Sequence, residues 1–217
     1  MNSKNTFLSL LRLNIYNNYI FFIGYLIFLI FCIAILSIYS KTETCILFNG
    51  FWSNSQDIFF KYITYLGDGI FAFSIILILF IYKIRYGIYA LSCFSITAIF
   101  TQILKRVIFS DVKRPSIELY IDFHNDILHT VEGVNLLSGH SFPSGHSTSI
   151  FSISCLMILL FKNKWLSLLS IIIAIFCAYS RVYLSQHFLE DIFVGSIIGC
   201  IGTLLIYSFL KSRLNES

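Results

Sequence analysis

Charge is what this chain has least of. Asp, Glu, Lys and Arg make up only 12% of its 217 residues, against 57% hydrophobic. Such a composition excludes an ordinary soluble domain. Together with 23 Phe, 13 Tyr and a mean hydropathy of +0.82, it defines a polytopic membrane protein. Paired cysteine is missing as well. Of the six cysteines, Cys32, Cys93, Cys155, Cys177 and Cys200 lie inside apolar runs, and only Cys45 falls in a polar connection. No C-x-x-C or Cys/His ligand spacing occurs, so the thiols read as small buried hydrophobes and not as a disulfide framework or zinc site. There are no internal repeats or low-complexity tracts, and the length suits one domain spanning 1–217. No small-residue cleavage site follows the first apolar run, which reads as a retained span.

Apolar runs recur at about 19–39, 68–82, 87–109, 144–161, 165–184 and 188–210, predicting an all-α protein with six transmembrane helices. Lys4 and Arg12, Lys83 and Arg85, Lys162 and Lys164, and Lys211 and Arg213 flank them in four segments. These hold 8 of the 15 basic residues but only Glu216 of the 11 acidic ones. By the positive-inside rule those segments are cytoplasmic, both termini included. The other side receives two long connections, about 40–67 and 110–143, and a short turn near Ser185.

In the first connection Ile58, Phe59, Tyr62, Ile63 and Leu66 form one apolar helical stripe. It suits a helix lying in the outer leaflet or one packed on the bundle. The second carries Asp111, Glu118, Asp122, Asp126 and Glu132 with His124, His129 and His140. Their spacing matches no standard ligand set, so it reads as a solvated acidic loop.

Three polar clusters interrupt the apolar background: Lys105-Arg106 with Lys113-Arg114-Pro115, Phe142 to Ser147, and Ser180 to Asp191. Ionisable groups beside apolar runs are costly and mark function. Helix rise puts all three on one side. A span entering near Gly87 climbs ~27 Å by Lys105, and one starting near Trp165 climbs ~24 Å by Arg181. His146 opens a span that descends to Lys162. Every cluster therefore lands on the outer side, as the charge rule requires independently.

Each cluster has a chemistry. Pro143 suits a first helical turn, and Ser144-Gly145 offer free backbone N–H groups at a helix start, a seat for phosphate. His146 beside them can exchange a proton near neutral pH. Lys105, Arg114 and Arg181 would repel one another unless a many-oxygen anion sat between them. Arg106 and Lys113 read as snorkelling or surface charges. His187 and Asp191, four apart, share a helical face, so the carboxylate can hold one ring nitrogen.

The pattern resembles the type 2 phosphatidic acid phosphatase (PAP2) superfamily, whose motifs are K-x6-RP, PSGH and SR-x5-H-x3-D. Pro143-Ser144-Gly145-His146 matches the second. Ser180-Arg181, His187 and Asp191 match the third with its spacing. The first departs, with eight residues between Lys105 and Arg114, and Lys105 is taken as its lysine. The resemblance covers about residues 87–210. It implies a phospho-histidine on His187, oriented by Asp191, with His146 protonating the leaving oxygen and then activating water. Lys105, Arg114, Arg181, Ser144 and the Gly145 amide would bind phosphoryl oxygens, with no metal and no cofactor.

The implied function is a membrane lipid phosphatase of a bacterial inner membrane, with its site facing the periplasm or exterior. Phosphatidic acid, phosphatidylglycerol phosphate, undecaprenyl diphosphate and lipid A phosphates all remain open as substrates. Phosphoryl transfer to a second lipid would use the same residues. A non-enzymatic anion binder or transporter fits less well, since binding needs no nucleophile with an orienter. Partners are the lipid phosphate and membrane lipids; no nucleic acid is expected, and protein partners are unassigned.

Overall fold

The computed structural model describes residues 6–123 and 128–214, the side chains of 120–123 and 214 excepted. Among the described residues its regular elements are all helices, with no strands. In chain order the helices are α1 (Phe7–Asn17), α2 (Tyr19–Ile38), α3 (Lys41–Asn49), α4 (Asn54–Ile63), α5 (Gly69–Tyr82), α6 (Ile84–Ile103), α7 (Pro115–Phe123), α8 (Gly145–Phe161), α9 (Lys164–Tyr183) and α10 (Leu189–Leu214). A 3-10 turn, Thr64–Gly67, joins α4 to α5, and a π turn, Leu104–Ile108, extends α6.

Local sequence explains most boundaries. Ser40 and Glu43 close a reciprocal capping box on α3. Ser53, Ser144 and Asn163 cap α4, α8 and α9 with their side chains. Asn18 at α2 and Asp68 at α5 are exceptions, each without a side-chain cap bond. For the Asp68 carboxylate this forgoes about 1 kcal/mol of helix stabilisation.

Among the described residues, four helices are long and apolar enough to cross a membrane: α2, α6 with its π turn, α9 and α10. The segment from α4 through α5, bent by 52°, makes a fifth if taken as one span. The sixth predicted span is α8, apolar but only 17 residues long. Helix α1, not anticipated from composition, precedes α2 and packs on α10, with Asn14 donating to the Ser208 hydroxyl.

Helix α8 is the axis of the bundle. It packs against α10, α9 and α6 and is buried on every side from Ile150 to Leu156. Tyr25 and Phe28 of α2 lie against Phe151 at ring-centroid distances of 5.4 and 5.5 Å. Between apolar helices, close van der Waals packing and interhelical hydrogen bonds of about 0.6 kcal/mol each hold the bundle together. Thr101 to Thr148 (3.1 Å) and Ser152 to Thr203 (2.7 Å) are two such bonds. Gly195 and Gly199 let α10 approach closest. A Cβ on Gly195 would lie 2.5 Å from the Ser144 carbonyl oxygen, and one on Gly199 2.4 Å from that of Thr148.

The two long connections depart from expectation. The first is helical almost throughout, and its stripe divides: Ile58, Phe59 and Tyr62 are exposed while Ile63 and Leu66 pack inward. Phe60, between them, is buried against Tyr183. The second is structured, not a simple solvated loop. Glu118 pairs with Lys41 at 2.7 Å. His129 stacks on Trp52 with its Nε2 2.9 Å from Asp57. Arg114 and Ser141 tie the two ends of the connection through backbone bonds to Ser138 and Val112. His124, Asp126 and the side chain of Asp122 lie outside the described residues, as do Lys4 and Glu216.

Candidate active site

All three polar clusters meet at one end of the bundle. From that end α6 runs back to Lys83 and Arg85, α8 to Lys162, α9 to Lys164, and α10 to Lys211 and Arg213. The basic links and the clusters therefore occupy opposite ends of the same helices. Direct hydrogen bonds join the clusters. The Ser144 amide donates to the Asp191 carbonyl at 3.0 Å, and Arg114 Nη1 donates to the Gln186 carbonyl at 2.8 Å. Close packing at Gly195 and Gly199, one and two turns along α10 from Asp191, permits the first of these bonds.

His187 is at the centre and almost wholly buried (1% exposed). It does not share a helical face with Asp191, as the four-residue spacing suggests, because α10 starts only at Leu189. Asp191 lies in the first turn of α10 and its Oδ2 reaches back to the Phe188 amide at 3.0 Å, in the manner of a capping box. The same oxygen accepts from His187 Nδ1 at 3.0 Å and from the Ser141 hydroxyl at 2.5 Å. A carboxylate can only accept, so the proton sits on Nδ1 and Nε2 presents a lone pair. Burial first, then the positive charges of Arg114, Arg181 and Lys105, push the His187 pKa well below the ordinary histidine value. The ring is neutral at pH 7.

Three cations surround it. Arg114 places Nη1 3.4 Å from His187 Nε2, its Nε held by the Gly139 carbonyl at 3.0 Å. Arg181, in the last turn of α9 and 6% exposed, donates through Nη1 to Thr64 Oγ1 at 2.8 Å. Among the described residues its buried Nε has no acceptor. Lys105 is buried in the π turn, where the Phe109 amide bonds to Leu104 across five residues. That wider turn takes up part of the extra length between Lys105 and Arg114 while keeping the lysine inward. Arg106 and Lys113 are exposed. Lys105, Arg106, Arg114 and His140 share a cavity of about 620 Å³ beside the site.

The helix start at Ser144 differs from expectation. Pro143 precedes the cap, and the Ser144 amide is already bonded to Asp191. The Ser144 hydroxyl accepts from the amide and hydroxyl of Ser147 at 3.3 and 3.1 Å. Its own proton stays free to donate. Among the described residues, the amides of Gly145 and His146 have no acceptor. Gly145 has open space where a side chain would stand. His146 Nε2 lies 2.7 Å from Asp68 Oδ1.

Ser141, Thr64 and Asp68 touch site residues and went unnoticed in sequence. Asp68 opens the apolar run at 68–82, and a carboxylate beside that run is its one signal in the sequence.

The whole arrangement is a neutral imidazole with a fixed tautomer, ringed by cations and helix-start amides, which suits attack on a phosphoryl group. The PAP2 superfamily sequence model matches residues 86–214; the chain belongs to that superfamily. It is 35% identical over 89 residues to the lipid A 4'-phosphatase of Bacteroides thetaiotaomicron. That alignment takes in 41% of this chain and only 39% of the relative. Its fold is similar to the crystal structure of Aquifex aeolicus LpxE, with a TM-score of 0.65 and 24% identity, over 76% of this chain and 92% of that one. It is also similar to the transmembrane PAP2-type phosphatidylglycerolphosphate phosphatase of Bacillus subtilis, with a TM-score of 0.59 and 24% identity, over 91% and 96%.

Proposed function

We propose that the protein is a membrane lipid phosphatase, releasing phosphate from a lipid phosphate monoester or diphosphate at the outer membrane–water interface. The lone pair on His187 Nε2 attacks phosphorus, forming an N–P bond as the bond to the leaving oxygen breaks. Asp191 holds Nδ1–H and stabilises the positive charge that develops on the ring. His146 delivers a proton to the leaving oxygen, then takes one from the water that hydrolyses the phospho-histidine. Lys105, Arg114, Arg181, the Ser144 hydroxyl and the Gly145 amide hold the phosphoryl oxygens. With this much positive charge supplied by side chains, the step needs no metal, and chelator treatment leaves its rate unchanged.

The observation that carries the reading is the Nε of Arg181, buried and, among the described residues, without an acceptor, on a side chain whose charge acts on His187 together with those of Arg114 and Lys105. A buried donor left unpaired is costly, and an oxyanion on the imidazole satisfies it. Six spans, α8 included, keep the lipid tail in the bilayer while the headgroup enters the cation cluster. Basic links at the far end of each helix favour cytoplasmic termini and an outward-facing site, in a bacterial inner membrane.

A lipid panel tests this. Purified protein should release phosphate from at least one of phosphatidic acid, phosphatidylglycerol phosphate, undecaprenyl diphosphate and lipid A, and His187→Ala should abolish release while leaving the protein folded. Release by that variant at the wild-type rate removes His187 as nucleophile. A phosphorylated lipid product in place of free phosphate indicates transfer.

A further inference from the structure

The chain segment that completes this site lies outside residues 86–214 and outside all three motifs. It is the turn Thr64–Asp68, where α4 bends into α5. Thr64 Oγ1 accepts from Arg181 Nη1 at 2.8 Å, and Asp68 Oδ1 lies 2.7 Å from His146 Nε2. Gly67 allows the approach. A Cβ there would come within 2.9 Å of His146 Cβ and 3.1 Å of Cys177 Sγ. Any larger residue would push the turn away and carry Asp68 with it.

The carboxylate has a competing partner that it does not use. Asp is among the best N-cap residues, and Asp68 stands at the N-cap of α5, yet it bonds to His146 and not to the helix amides. A capping residue diverted from its own helix onto a histidine is tied to that histidine's role. The site thus holds two His–Asp pairs in opposite senses. Asp191 takes Nδ1 of His187 and leaves Nε2 to react. Asp68 takes Nε2 of His146 and leaves Nδ1, which has no hydrogen-bond partner among the described residues.

We infer that Asp68 is the positioning residue for His146, fixing Nδ1 as the nitrogen that exchanges protons with the leaving oxygen and with water. This rests on the phosphatase reading above. While the N–P bond to His187 forms and the P–O bond breaks, the proton on His146 Nδ1 passes to the leaving oxygen. As water attacks, its O–P bond forms, the N–P bond breaks, and a water proton returns to Nδ1. The proton on Nε2 stays between the ring and Asp68 throughout. In its absence the ring can turn or take the other tautomer, and proton delivery is lost while phosphate binding is kept.

The test compares two esters with matched tails, dodecyl phosphate, whose alkoxide leaves poorly, and 4-dodecyl-2-nitrophenyl phosphate, whose leaving group needs no proton. Asp68→Asn keeps an equally good N-cap, so α5 still starts in place. Its kcat should fall on the order of 10–100-fold on the alkyl ester and less than about threefold on the aryl ester, with KM little changed on both. Asp68→Ser, also a cap without a carboxylate, should reproduce the split. An equal loss on both esters, or none on either, overturns the role of Asp68 while leaving the phosphatase reading intact. No release from either ester by the wild type overturns that reading and this one with it.

Discussion

At the residue scale the reactive group is a buried imidazole kept neutral. Burial and three neighbouring cations depress its pKa although Asp191 pairs with it. The sign of the pH effect follows. An ordinary histidine, with a pKa near 6.5, would be about three-quarters protonated at pH 6 and would lose about fourfold in free lone pair on going there from pH 7.5. His187 keeps its lone pair across that window. With 4-dodecyl-2-nitrophenyl phosphate, whose leaving group needs no proton from His146, the rate of phosphate incorporation into the protein should therefore be nearly unchanged between pH 7.5 and 6, as measured by rapid quench with labelled substrate. A fourfold decline would show an unshifted histidine.

The order Arg181, His187, Asp191 was legible in the sequence because its spacing is tied to chemistry. How the residues meet was not. Four-residue spacing predicts one helical face, whereas Asp191 reaches back over a helix start to a residue outside it. Asp68 and Ser141 were illegible for a different reason. Their partners are 78 and 50 positions away, and only packing of separate helices brings them together.

At the scale of elements, periodicity and charge revealed the apolar helices to within a few residues, since a long apolar run has few alternatives to a helix. The polar connections were less readable. Helices α3, α4 and α7 depend on caps and on contacts with the bundle, such as Phe60 against Tyr183, and not on a long apolar signal. One helix pair sets the geometry of the site. Gly199 faces the Thr148 carbonyl, and its closeness holds α10 where Asp191 can take the Ser144 amide. Gly199→Leu should push the helices apart, lowering the thermal midpoint in detergent by several degrees and turnover by at least tenfold. Wild-type turnover with that substitution would show that the α8–α10 approach does not position the site.

The whole molecule is segregated along its length. Chemistry gathers at one end of the bundle and basic links at the other, so a single orientation satisfies both the charge rule and an outward-facing site. The native cysteines are all buried, which leaves introduced ones readable. Cysteine at position 132 should react with an impermeant maleimide in intact cells, and cysteine at position 163 only after the membrane is opened. The reverse pattern would invert the orientation.

All of this converges on the bond between His187 and phosphorus. Purified protein quenched in alkali during turnover of a lipid phosphate, digested and sequenced by mass spectrometry, should carry phosphate on the peptide containing His187. That label should disappear on chasing with unlabelled substrate. Steady turnover with no label on His187, or with the label on another residue, would contradict the account.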